Sequence, residues 1–313
     1  MRTIQRPFPA LASILLALLA AACAIEPAPE ESAQGATSAE TAAPAHVSGT
    51  AAAADGVPIA YEAWGAGDTA VVFVHCWACN REFWREQAGP VAAAGYRVVT
   101  LDLPGHGESG AEREEWSLAG LAADVAAVVD ELGLDRVVLV GHSMGGPVSL
   151  ETARLLPGRV VGIACVDTLH DVEFEWPEGM VETMTARLEE DYRAGMESFV
   201  PGLFKADADP AVVQWVIDQA IETTEPHATI ALMAAFPSWD PPAALGAAGV
   251  PVRCINAAPQ GEQGMPTAIE TNREYADFDA VLMEGVGHYP QLERPEEFNR
   301  ELLDVLEELS ASG

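Results

Sequence analysis

Short β-branched runs alternating with amphipathic helical stretches place this chain in the α/β class, with a mostly parallel sheet covered by helices on both faces. Two further observations sharpen that expectation. The apolar run Val138-Leu139-Val140 feeds directly into Gly141-His142-Ser143-Met144-Gly145 and then a helix-like segment. The alternation breaks only once, in a helical stretch from 170 to 242.

The chain opens with Arg2 and Arg6, an apolar run from Ala10 to Ala22, and Cys23. Residues 1–22 therefore read as an export signal, too short to span a bilayer comfortably. Leu19-Ala20-Ala21-Ala22-Cys23 resembles the lipobox of bacterial lipoproteins, although the leucine stands one place further from the cysteine than usual. The resemblance implies export from a bacterial cytoplasm and lipid modification of Cys23, with contact to a membrane only through that N-terminal anchor. Each buried acyl methylene would add about 0.8 kcal/mol of attachment. Simple secretion after cleavage near Ala22 is the alternative. Residues 23–46, rich in Ala, Glu, Pro, Ser and Thr, show no apolar periodicity and read as a flexible tether.

Val57–Tyr61 reads as an early antiparallel strand, and Val71–His75 as a central one. A helix over Glu82–Ala94 ends at Gly95, followed by a strand over Arg97–Asp102, the turn Pro104-Gly105-His106-Gly107 and a helix over Leu118–Leu132. Arg136–Gly141 is the strand that leads to Ser143, Gly146–Leu156 the helix behind it, and Val160–Asp167 the next strand. The stretch 170–242 is charged, carries scattered aromatic and methionine residues, contains no strand run and is too long for a loop, so it reads as a helical lid. Strand periodicity returns at Val250–Asn256 and Ala280–Gly285, and Pro295–Leu309 forms a closing helix. The folded core thus comprises 47–169 and 243–313.

Sixteen lysines and arginines against 48 aspartates and glutamates give a net charge of −32, which repels polyanions and argues against nucleic acid as a partner. Besides Cys23 there are four cysteines. Cys76 and Cys79 are close enough in one loop to pair, and Cys165 and Cys254 fall in strands expected to be neighbours; burial of all four as small apolar residues is the competing reading. No second ligand pair stands at metal-site spacing, and no dinucleotide fingerprint or phosphate loop is present, so neither metal nor cofactor is expected.

A Gly-x-Ser-x-Gly between a strand and a helix has a physical logic. The sharp turn holds Ser143 in a strained conformation at the carboxyl end of the sheet, and the flanking glycines let neighbouring backbone approach. The N–H groups that open the following helix are free to face an oxyanion beside Ser143. A serine hydroxyl needs a base, and that base needs an orienting group. His288, in Gly285-Val286-Gly287-His288 after the last strand, is the best-placed base. His142 is expected to point elsewhere, His106 belongs to a turn, and His75 suits a structural hydrogen bond.

Taken together, Phe73-Val74-His75-Cys76-Trp77, Asp102-Leu103-Pro104-Gly105-His106-Gly107-Glu108-Ser109, Gly141-His142-Ser143-Met144-Gly145-Gly146, and Gly287-His288 followed by Glu293-Arg294-Pro295-Glu296-Glu297-Phe298 resemble the α/β-hydrolase superfamily, in its lidded esterase, lactonase and peroxidase-like branch. The resemblance covers about Val57 to Leu309. It implies an eight-stranded, mostly parallel sheet and an oxyanion hole made by the backbone N–H groups of Met144 and Trp77, with Cys76 standing where relatives usually carry glycine. Relatives usually place their acid in the loop after the penultimate strand, which here holds no aspartate. Asp167, at the end of the strand after the nucleophile helix, is the favoured acid, and Glu262 is the alternative.

The implied activity is hydrolysis of a small-molecule carboxylic ester or lactone through an acyl-serine. Acyl transfer, perhydrolysis and carbon–carbon hydrolysis use the same residues. A non-catalytic ligand-binding protein of the same fold is the alternative from another class. Haloalkane dehalogenases and epoxide hydrolases use an aspartate where this chain has Ser143. Nothing in the sequence sets the oligomeric state.

Overall fold

The structure is a computed structural model that describes residues 46–259 and 266–311. The export signal, Cys23, nearly all of the tether, and Glu262 lie outside the described residues.

Eight strands form one sheet: β1 (Val47–Ala52), β2 (Pro58–Trp64), β3 (Ala70–Val74), β4 (Arg97–Leu101), β5 (Val137–His142), β6 (Val160–Val166), β7 (Val252–Ala257) and β8 (Phe278–Met283). Their spatial order is β1-β2-β4-β3-β5-β6-β7-β8. β1 pairs antiparallel with β2, and β2 with β4, whereas every other neighbouring pair is parallel. β3 and β5 are buried along their whole length, which explains why they read as unbroken apolar runs rather than alternating ones. Successive residues still serve different cores. Val72, Val74 and Leu139 enter one apolar cluster, while Val71, Phe73, Val138 and Val140 enter the other.

The helices in chain order are α1 (Arg85–Ala93), α2 (Leu118–Glu131), α3 (Gly145–Leu155), α4 (Met180–Glu190), α5 (Tyr192–Phe199), α6 (Pro210–Glu222), α7 (Pro226–Ala235), α8 (Pro241–Ala247), α9 (Ile269–Arg273), α10 (Pro290–Glu293) and α11 (Pro295–Ala311). Trp84, Ala88 and Val91 near and in α1 join Phe298, Leu302, Val305, Leu306 and Leu309 of α11 over one sheet face. Leu121, Val125 and Val128 of α2 and Val148 and Leu150 of α3 pack in the other cluster.

Helices α4 to α8 stand between β6 and β7 as the inserted helical block. It extends to Ala247, beyond the boundary expected at 242, because Asp240 caps α8 by accepting from the Ala243 amide at 3.0 Å and two prolines open its first turn. The helix expected over Glu82–Ala94 is split into a 3-10 turn at Arg81–Trp84 and α1. β1 carries little apolar signal, and its register comes from tertiary pairing, with Val47 opposite Ala63 and Ala52 opposite Pro58.

Candidate active site

Ser143 sits immediately after β5 with φ of +50°, a region that costs a non-glycine residue about 1–3 kcal/mol and is held by its surroundings. A Cβ on Gly141 would run into the backbone of Gly145, and one on Gly145 into the backbone of Val74, so the elbow closes only with glycine at both places. The Ser143 amide donates to the Val166 carbonyl at 2.9 Å, and the Ser143 carbonyl accepts from Gly146 at 2.9 Å. Met144, the next residue, stands at the N-terminal end of α3. Trp77 lines the same cavity from the loop after β3, and among the described residues neither the Met144 nor the Trp77 backbone N–H has a protein acceptor.

That loop is tied at many points. Cys76 and Cys79 form a disulfide, so Cys76 holds no thiolate. Ala78 between them has φ of +55°. The Trp77 indole donates to the Thr229 carbonyl of α7 at 2.7 Å. His75 donates from Nδ1 to the Cys76 carbonyl at 2.8 Å and accepts the Leu103 amide on Nε2 at 2.8 Å, the structural role expected of it. Burial pulls His75 down to about 4, so the ring is neutral, as this donor–acceptor pattern requires. Cys165 and Cys254 are opposite one another in the β6/β7 register and are buried, unbonded thiols.

Asp167 and His288 meet although 121 positions separate them. Nδ1 of His288 donates to Oδ2 of Asp167 at 2.6 Å, leaving Nε2 with a lone pair to receive a proton. The other carboxylate oxygen accepts the Ala257 amide at 2.8 Å and lies 3.4 Å from Nε2 of His170. Burial pushes the Asp167 carboxyl up, but hydrogen bonds from His170 and His288 and the electrostatic interaction with them outweigh it and hold the group well below the usual carboxylate range. Ser143, Asp167 and His288 all line one cavity of about 1250 Å³.

The model of the Alpha/beta hydrolase family matches residues 71–301. The chain belongs to that family. A non-heme chloroperoxidase of Streptomyces lividans is 38% identical over 126 residues, which are 40% of this chain and 46% of the relative. This segment and those shared with the first relatives found span less than half the length of those proteins. Among solved structures, an esterase of Exiguobacterium antarcticum superposes with TM-score 0.74 at 23% identity, over 83% of this chain and all of the other, and shares the fold. Est816, described as an N-acyl homoserine lactone degrading enzyme, superposes with TM-score 0.69 at 26% identity, over 82% and 99% of the two chains.

Within this alpha/beta hydrolase, four further residues support the site; His142 and Glu293 stand in the motifs around Ser143 and His288, whereas Gln291 and His170 do not. Glu293 grips the loop that carries His288, accepting the Gly287 amide at 2.9 Å and the Tyr289 amide at 3.2 Å. Burial raises the Glu293 carboxyl, partly offset by these amides. His142 does not line the cavity with Ser143; its Nε2 donates to the His288 carbonyl at 2.7 Å, and the two rings lie 4.9 Å apart. Gln291 completes the arrangement by donating to Nδ1 of His142 at 3.1 Å, so His142 is a neutral, Nε2-protonated ring, pulled down to about 3 by burial first and by neighbouring His288 second. His170, the fourth, lines the cavity beside Asp167. The longest-range of these contacts are legible only in three dimensions: His142 reaches residue 288, 146 positions away, and Gln291 reaches His142, 149 positions away.

Proposed function

We propose that this alpha/beta hydrolase cleaves a carboxylic ester or lactone through an acyl-serine. One observation carries the reading: the Asp167–His288 hydrogen bond in the lining of a cavity that Ser143 on its strained elbow also lines. Ser143 attacks the carbonyl carbon, His288 takes the hydroxyl proton and returns it to the leaving oxygen, and Asp167 keeps the imidazole in the Nδ1–H tautomer. The Met144 and Trp77 amides receive the oxyanion, each worth about 2.7–4 kcal/mol of transition-state stabilisation. Water activated by His288 then releases the acid.

The walls suit an uncharged substrate with an apolar portion. Trp77, Phe199, Met184, Met233, Phe236 and Trp239 line the cavity, together with Asp171, Glu173, Glu175 and Asp240, and among the described residues its lining includes neither lysine nor arginine. An anionic substrate would meet like charge without a partner. The helical block α4 to α8 is proposed to act as the lid of this cavity. Export and lipidation at Cys23 complete the reading, with mass spectrometry of the membrane-bound N-terminal peptide as their check.

A fluorophosphonate probe and a panel of p-nitrophenyl esters and lactones of graded acyl length test the activity. Wild-type protein should be labelled at Ser143 and turn over neutral esters, and Ser143→Ala should lose both labelling and turnover. Folded wild-type protein that neither reacts nor hydrolyses would overturn the reading in favour of a ligand-binding role. Hydrogen peroxide and alcohols supplied as acceptors in the same assay test perhydrolysis and acyl transfer.

A further inference from the structure

The Cys76–Cys79 bridge encloses Trp77, whose backbone N–H is one of the two proposed oxyanion donors. Everything else about the loop is already anchored. Upstream, the Cys76 carbonyl is held by His75, and His75 by Leu103. Downstream, Asn80 donates to Oε1 of Gln219 at 2.7 Å and Oγ1 of Thr223 at 2.8 Å, and its own Oδ1 accepts the Glu82 amide at 2.9 Å. Above, the indole of Trp77 is fixed to Thr229. These contacts hold the 76–77 peptide unit by one hydrogen bond at its carbonyl and leave free the rotation of the units between residues 77 and 79. In that segment Ala78 holds a left-handed backbone although it has a Cβ, a conformation an unconstrained chain would leave. The bridge removes this remaining freedom, and both of its cysteines are buried.

We propose that the Cys76–Cys79 disulfide is a positioning clamp for the oxyanion hole: together with the His75 hydrogen bond it holds the 76–77 peptide unit that carries the Trp77 N–H, and opening it disarms the site without unfolding the protein. The inference rests on the acyl-serine reading above. An oxyanion donor is effective only within about 2.7–3.1 Å of the developing charge, so a modest rotation of one peptide plane is enough to lose it. A dithiol reductant would deliver two electrons and two protons to the S–S bond, leaving two thiols on the protein and a cyclic disulfide on the reductant. The same bridge would make activity depend on an oxidising compartment, which agrees with the export read from the N-terminal sequence.

The test compares full-length wild type with Cys76→Ser/Cys79→Ser, a near-isosteric pair that cannot bridge, measuring kcat, KM, the rate of Ser143 phosphonylation and Tm. Expected are a fall of about tenfold or more in kcat and in phosphonylation, KM within about threefold of wild type, and a retained cooperative unfolding transition. In parallel, wild type is treated with dithiothreitol and then reoxidised, with non-reducing peptide mapping to follow the bridge. Activity should fall as the 76–79 link opens and return as it re-forms. Unchanged kcat in the double variant, a change confined to KM, or full activity in wild type whose bridge is mapped as open would each overturn the clamp. If the double variant does not fold, the reduction arm decides. Wild type that hydrolyses no ester and takes no probe overturns the acyl-serine reading itself, and the clamp with it, before any variant is compared.

Discussion

Asp167 is gripped on both oxygens, by His288 on one and by the Ala257 amide and His170 on the other. A carboxylate so held can support only one tautomer of His288, the one with its proton on Nδ1. Asp167→Asn is nearly isosteric, but its amide can present N–H instead of a lone pair and so favours the other tautomer, with the proton on Nε2. We therefore expect kcat for ester hydrolysis to drop by about 10³–10⁴-fold with a much smaller change in KM. Activity within tenfold of wild type would remove Asp167 from the proposed mechanism. Ser143, His288 and Asp167 were all nameable from local sequence context, the first two from glycine-flanked motifs and the third from its place at a strand end. The contacts of Gln291 and His170 were not, because Gln291 acts on His142, 149 positions away, and His170 stands in no motif.

At the scale of elements, the loop between β8 and α10 brings the histidine to the sheet edge, and its geometry depends on Gly287. A Cβ there would come 2.6 Å from the Leu203 carbonyl and 3.1 Å from Oε1 of Glu293. Those two groups hold the loop: Leu203 accepts the His288 amide at 2.8 Å, and Glu293 accepts the amides on either side. Gly287→Ala should thus displace the His288 loop from both supports. The expected cost is about 1–3 kcal/mol of stability, read as a lower Tm, together with a fall in kcat larger than any rise in KM. Wild-type kcat in this variant would show that the loop tolerates the displacement. Because Leu203 belongs to the inserted block, the same contact ties the proposed lid to the proposed base.

Across the whole molecule, three buried neutral histidines make acidification costly to the native state. Burial pulls His75 to about 4, burial and the neighbouring His75 ring pull His106 to about 3, and burial with His288 pulls His142 to about 3. Below about pH 6.5 the unfolded chain protonates these rings while the native rings stay neutral, so the unfolded state gains protons and acidification favours it. Their stabilising contribution is complete above about pH 6.5 and is lost progressively as pH falls toward 4 and 3, at up to about 1.4 kcal/mol per pH unit for each ring. Asp167 has the depressed carboxylate pattern, so its contribution persists above about pH 4 and is lost only below it. Thermal melts between pH 8 and pH 4 should show Tm falling steadily from about pH 6.5 downward. A flat Tm over that range would mean the three rings are not held neutral.

Sequence alone determined the α/β class, the order of the central strands along the chain, the elbow at Ser143 and the candidates for its partners. These are written in local currency: apolar period, glycine spacing and capping residues act over a few positions. Tertiary structure decided what local signals cannot carry. It recruited the weakly apolar Val47–Ala52 into the sheet, joined Cys76 to Cys79 while leaving Cys165 and Cys254 as thiols, and brought the carboxylate of residue 167 against an imidazole 121 positions away. The reason is that strand pairing and charge pairing are set by distance in space, and distance in space follows from how the whole sheet is wound.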